Sequence, residues 1–167
     1  MSLFLHPIDT PCLGHKIGHM TTYRLHSALG YWLSLAARLQ ERRFEDALKP
    51  LGLTRTSWCI LLAVGVEGLT QPSDIATFIG IDRTATSRAL RHMEADGLVT
   101  RKTGPGDRRT TRVELTELGR SRMAEATPFA LENNEIMRAK LTEKEQQQLM
   151  NLLAKVTEGE SADLSVL

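Results

Sequence analysis

Residues 71–115 read QPSDIATFIGIDRTATSRALRHMEADGLVTRKTGPGDRRTTRVEL, with the signals of two helices, a tight turn and two strands in succession. Ile75, Ala76, Ile79 and Ile81 recur as the apolar positions of a short helix and the turn after it. Ala76 is small enough for a second helix to pack closely across it, and Gly80 is free to take the left-handed conformation that ends a helix. Asp82 follows as a natural N-cap. On the next helix Thr86, Ala89, Leu90 and Met93 fall on one face, and Gly97 closes it. Arg83 at its start, with Thr84, Ser87, Arg88 and Arg91, occupies the opposite side. Strands are expected over 98–102 and 110–115, separated by a loop holding Gly104, Pro105 and Gly106.

The pieces fit a helix-turn-helix followed by a β-wing, a shape suited to duplex DNA. Arginine bonds a guanine edge through two donors, and hydroxyls serve phosphates or bases. Arg108 and Arg109 stand at the wing tip, where a cation can enter a narrow minor groove. Asp107 can orient one of them by a charge-assisted hydrogen bond. A solvated helix face and a basic hairpin would account for each half alone; their succession favours the nucleic-acid reading.

Outward from this centre, Leu25, Leu29, Trp32, Ala36 and Leu39 form a heptad-like apolar seam on a long helix, stopped by Pro50. Thr54 is expected to cap a helix whose inward face holds Trp58, Leu61 and Leu62, and Thr70 to cap the one beginning near Pro72. Beyond the wing, Thr116 caps a helix through Met123, Phe129 and Ile136, with Pro128 as a possible kink. Thr142 and Glu145 form a capping box ahead of Leu149, Leu152, Leu153 and Val156. The expected fold is mainly α with a small β-wing: a winged helix-turn-helix core flanked by N- and C-terminal dimerisation helices. Its divisions are an N-terminal arm (1–22), a dimerisation helix (23–50), a DNA-binding lobe (51–115), C-terminal dimerisation helices (116–158) and a loose tail (159–167).

Charge follows the same division. The chain of 167 residues has a formal net charge of +1, yet residues 82–122 hold ten basic against six acidic side chains. Residues 123–167 reverse this, with four against eight, so positive charge is concentrated where phosphates would lie. Hydrophobic content of 41% and charged content of 25% are ordinary for a soluble globular protein. No apolar run suits a membrane span, the N-terminus lacks the pattern of a secretory signal, and two cysteines give no disulfide framework. A cytoplasmic location is expected.

The chain resembles the MarR family of bacterial transcription regulators over roughly residues 23–156. The likeness is tightest in LGLTRTSWCILLAV, DRTATSRALRHMEADGLVTRK and GDRRTTRVELTELGR, where DxRR in a wing precedes a strand, LT-x-x-G and a helix. The resemblance implies a homodimer with interlocked terminal helices and two winged lobes reading a palindromic operator on double-stranded DNA. It also implies a small-molecule or redox-responsive cleft beside each lobe, and a repressor released by its effector. Ala85 replaces a frequent Ser or Thr, and Thr86 stands where an aliphatic residue is common. The first twenty or so residues extend beyond the usual family start, which makes Met20 a candidate initiator.

Trp32 and Trp58, with His26 and Arg38 as polar contacts, are the candidate effector-binding residues, although tryptophans at such spacing are commonly core. Thiol sensing through Cys12 or Cys59 is the regulatory alternative; Cys59 reads first as a small buried hydrophobe. A metal site at Cys12, His15 and His19 lacks a fourth ligand, and none is expected. There is no glycine-rich phosphate loop, HExxH, GxSxG or paired CxxC set, so neither an enzyme nor a cofactor is expected. A nonspecific architectural DNA-binding protein, or a winged module used for protein contacts, completes the alternatives.

Overall fold

The computed structural model describes residues 16–17, 20–21, 23–104 and 107–159, with side chains over 23–102 and 111–159. The chain divides into two compact units between Gln40 and Glu41.

In the first unit, β1 (Lys16–Ile17) pairs antiparallel with β2 (Met20–Thr21), and a 3₁₀ turn covers Leu25–Ser27. Helix α1 (Leu29–Leu48) begins there and ends in the second unit. The expected seam is therefore split, because Leu25 belongs to the turn rather than the helix. Leu25, Leu29, Leu33 and Leu39 are exposed, while Trp32 is half-buried. The Trp32 indole donates to the carbonyl of His26 at 2.7 Å, and the His26 and Tyr31 rings lie 4.8 Å apart.

The second unit holds the wing and the rest of the helices. Pro50 lies in a 3₁₀ turn after α1, and Gly52 then reverses the chain at φ 68°. Thr54 and Ser57 form a reciprocal capping box at the start of α2 (Arg55–Gly65), satisfying two otherwise orphaned amides. Helix α3 (Pro72–Ile79) is capped at Gln71, not Thr70 as the sequence suggested, and no side chain bonds there. The Thr70 carbonyl instead accepts the amide of Val113 at 2.8 Å, so the wing claims this segment. Helix α4 (Arg83–Ala95) follows the turn.

The wing is an antiparallel pair, β3 (Val99–Gly104) and β4 (Asp107–Leu115), reaching further toward the loop than expected. Val99 faces Leu115 and Arg101 faces Val113, with a register shift between Thr103 and Gly104. Strand alternation sends Val99, Val113 and Leu115 into the core and leaves Thr100, Lys102, Arg112 and Glu114 exposed. Thr116 caps α5 (Glu117–Arg138), which continues through Pro128 without a break. Thr142 and Glu145 make the expected capping box at α6 (Glu143–Val156).

One apolar core fastens the C-terminal end of α1, helices α2 to α5 and the wing. It gathers Phe44 and Leu48 of α1, Trp58, Ile60 and Leu61 of α2, Ile75 of α3, Leu90 and Met93 of α4, and Val99, Val113 and Leu115 of the wing. By contrast, Phe129, Leu131, Ile136 and Met137 of α5 are exposed, as are Leu149, Met150, Leu152 and Val156 of α6.

Candidate nucleic-acid interface

The turn between α3 and α4 rests on three local interactions. Gly80 sits at φ 68°, and the amides of Gly80 and Ile81 both donate to the carbonyl of Ala76. An Asp82 side-chain oxygen then accepts the amide of Ala85 at 2.8 Å, which fixes where α4 begins. Thr86, Leu90 and Met93 are buried and hold the helix to the core. Thr86 tolerates complete burial because its hydroxyl donates to the Asp82 carbonyl at 3.0 Å, while its methyl can pack.

Arg83, Thr84, Arg88 and Arg91 are exposed on α4; Ser87 is half-buried. Arg91 lies along the helix, its Nε donating to the Ser87 carbonyl at 3.4 Å. Among the described residues no salt bridge involves Arg83, Arg88 or Arg91. The contrast with neighbouring cations is informative. Arg101 pairs with Glu94 at 2.6 Å, Lys102 with Glu114 at 2.6 Å, Arg120 with Glu117 at 3.2 Å and Arg122 with Glu125 at 2.8 Å. Hydrogen bonding to Arg101, Lys102 and Ser121 is the main cause holding Glu94, Glu114 and Glu125, respectively, below the usual carboxylate range. Among the described residues, the cations of this region that lack a salt bridge are therefore Arg83, Arg88 and Arg91 of α4 and Arg112 of the wing.

Arg112 is a further exposed cation of the wing, standing opposite Lys102. Its signal was the alternation of β4. Asp107, Arg108 and Arg109 belong to β4 by backbone, and the placement of their side chains lies outside the described residues. So do Cys12, His15 and His19.

The remaining candidates are dispersed in character. His26 and Trp32 are brought together by the indole–carbonyl bond, and Arg38 is exposed with its Nε on the Ser34 carbonyl at 3.2 Å. Trp58 is 5% exposed and meets Phe44 edge-on, with ring centroids 6.0 Å apart, so its surface is spent on the core. Cys59 is half-buried; burial pushes its thiol up, with Arg55 opposing in part. Among the described residues no cluster of His, Cys, Asp and Glu could hold a metal ion, and no helix is long and apolar enough to cross a membrane.

Residues 51–110 match the model of the MarR family. Several solved structures share the fold. A variant of MarR from E. coli, complexed with operator DNA, has a TM-score of 0.71 at 24% identity, covering 77% of this chain and 92% of that one. BpsR from Bordetella bronchiseptica, whose DNA binding is regulated by 6-hydroxynicotinic acid, has a TM-score of 0.76 at 24% identity, covering 83% and 99%. The transcriptional repressor CouR, bound to a 23-mer DNA duplex, has a TM-score of 0.71 at 28% identity, covering 80% and 95%.

Proposed function

The chain belongs to the MarR family through its winged lobe, and on that premise we propose that it is a sequence-specific, DNA-binding transcriptional regulator. It acts as a homodimer on a palindromic operator, represses, and is released by a small molecule. The observation that carries the reading is the α4 surface. Arg83, Thr84, Arg88 and Arg91 face solvent, and among the described residues their arginines have no acidic partner, whereas four nearby cations are neutralised. Two such helices would enter successive major grooves about 34 Å apart. Ser87 contributes at the edge of that face, and Arg108 and Arg109, oriented by Asp107, reach the flanking minor groove.

Dimerisation is supported by the apolar side chains left uncovered on α5 and α6, a pattern that marks an interaction surface. On this reading residues 51–115 form the reading lobe, and residues 23–50 and 116–158 the dimer. For the effector we assign His26, Trp32 and Arg38, which combine a half-buried aromatic surface with an exposed cation. CouR and BpsR, a repressor and a small-molecule-regulated DNA binder, support the repressor and release parts by analogy. Thiol sensing finds less support at Cys59, because burial pushes its thiol pKa up and so disfavours the reactive thiolate.

Selection of bound duplexes from a random pool tests the proposal. One palindrome should emerge; recovery of no duplex, or of duplexes without common sequence, overturns it. Replacing Arg88 by alanine should change which operator variants are preferred more than it changes nonspecific affinity. The Arg108→Ala/Arg109→Ala variant should weaken binding to every duplex and reduce the slope of log affinity against log salt by about 2, near 0.9 for each phosphate left without its cation. Unchanged affinity and slope would remove the wing from the mechanism.

A further inference from the structure

Arg101 occupies an unusual place for an arginine. Its strand neighbour Val99 and its cross-strand partner Val113 are both fully buried, so alternation sends Arg101 toward the core side of the wing. Its rung lies one inward step outward from the buried Val99–Leu115 pair. Glu94, in the last turn of α4, meets it there. Glu94 Oε1 accepts the amide of Arg101 at 3.1 Å, and Oε2 accepts the guanidinium at 2.8 Å from Nε and 2.6 Å from the terminal nitrogen. One carboxylate thus grips both the backbone and the side chain of a single wing residue.

The other edge of the same rung is held as well. The Val113 amide points away from β3 and donates to the Thr70 carbonyl at 2.8 Å. Both outward amides of the Arg101–Val113 pair are therefore satisfied by the helix-turn-helix: one by α4, the other by the residue just ahead of the α3 cap. Unpaired edge amides are ordinarily left to solvent, and a two-stranded ribbon alone holds its direction poorly. A rung fixed on both edges sets the direction of everything beyond it.

We propose that Glu94 and Arg101 form a pin that sets the angle of the wing relative to α4, making both positioning residues for DNA discrimination rather than phosphate ligands. This rests on the DNA-binding reading given above. The pin makes the distance between the α4 reading face and the wing tip a fixed quantity, so an operator is recognised by two contacts in one register. Loosening it lets each contact form without the other. Binding to a matched operator then falls, while binding to unmatched duplex, which needs no fixed register, is spared.

The two roles of Arg101 predict opposite signs. Glu94→Gln keeps an oxygen for the Arg101 amide but loses the ion pair. If Arg101 were a phosphate ligand restrained by Glu94, this change would free a cation, remove a nearby negative charge and strengthen DNA binding. A pin predicts weaker operator binding.

The test uses the full chain, a duplex selected by the parent protein, and a scrambled duplex of equal length, titrated by fluorescence anisotropy. E94Q and R101M should each lower operator affinity about tenfold with less than a twofold change on the scrambled duplex, and the double variant should be no worse than either single one, as expected for groups acting as a unit. R101K, which reaches the carboxylate through one nitrogen, should recover part of the loss, and thermal midpoints should stay close to that of the parent. Tighter operator binding by E94Q, additive losses in the double variant, or equal losses on both duplexes would each overturn the pin. Should the parent select no duplex, the regulatory reading fails by itself. The pin is then judged without DNA, by amide exchange at Arg101: faster exchange in E94A than in the parent upholds it, and identical exchange refutes it.

Discussion

Replacing Gly119 by alanine should destabilise the second unit severely. An added Cβ would stand 2.1 Å from the carbonyl oxygen of Leu98 and 3.1 Å from its carbon, where ordinary contact begins at 3.4 Å. The first turn of α5 and the root of the wing would have to part by at least 1.3 Å, the difference between 2.1 and 3.4 Å. Neither side yields cheaply. The Leu98 oxygen accepts the amide of Thr116 at 3.1 Å, while the Thr116 hydroxyl donates to the Gly97 carbonyl at 2.6 Å and receives the Gly119 amide at 3.0 Å. Overpacking of this kind costs about 1–3 kcal/mol. Losing the Thr116 amide bond to Leu98 adds about 1 kcal/mol. Alanine recovers at most about 1 kcal/mol of helix propensity, which leaves a net loss of about 1–3 kcal/mol. Urea unfolding followed by circular dichroism, at one protein concentration, measures this directly. Gly30→Ala is the control, since its Cβ would meet nothing within 4 Å, and it should be neutral or stabilising by up to about 1 kcal/mol. A G119A protein within about 0.5 kcal/mol of the parent would refute the argument, because changes that small are typical of unconstrained surface sites.

Two further outcomes follow from local chemistry. Asp82→Ala removes the oxygen that caps α4 and should cost about 1 kcal/mol in the same unfolding assay, with operator affinity falling as the first turn frays. Asp82→Asn, which keeps an acceptor, should restore most of both. For Cys59, burial raises the thiol pKa, so the neutral form dominates at and above neutrality. In a C12S background its alkylation by iodoacetamide should be slow at pH 7 and accelerate only above the ordinary cysteine value of about 8.5. Fast labelling at pH 7 would contradict the burial argument.

The helix-turn-helix was legible from short-range signals alone. Gly80 and Asp82 act within one turn of their own positions, and the period of Thr86, Leu90 and Met93 states which side of α4 is buried. Charge was legible in part. The helical period marked Arg83, Arg88 and Arg91 as outward, but it could not say which other cations meet a carboxylate; among the described residues Arg101, Lys102, Arg120 and Arg122 do, and Arg112 stays exposed. Thr70 looked like a cap because a threonine ahead of a proline usually is one; its carbonyl was needed forty-three residues away, at Val113.

Caps, glycine conformations and hydrophobic period act over a few residues, so the chain alone states its elements and the face each one buries. Which groups meet across elements is a matter of packing: Glu94 with Arg101, Thr70 with Val113, Gly119 against Leu98, and Trp58 against Phe44. Those meetings depend on how helix, strand and turn abut in space, and an ion pair or a close approach exists only once packing has brought its two halves within a few ångströms.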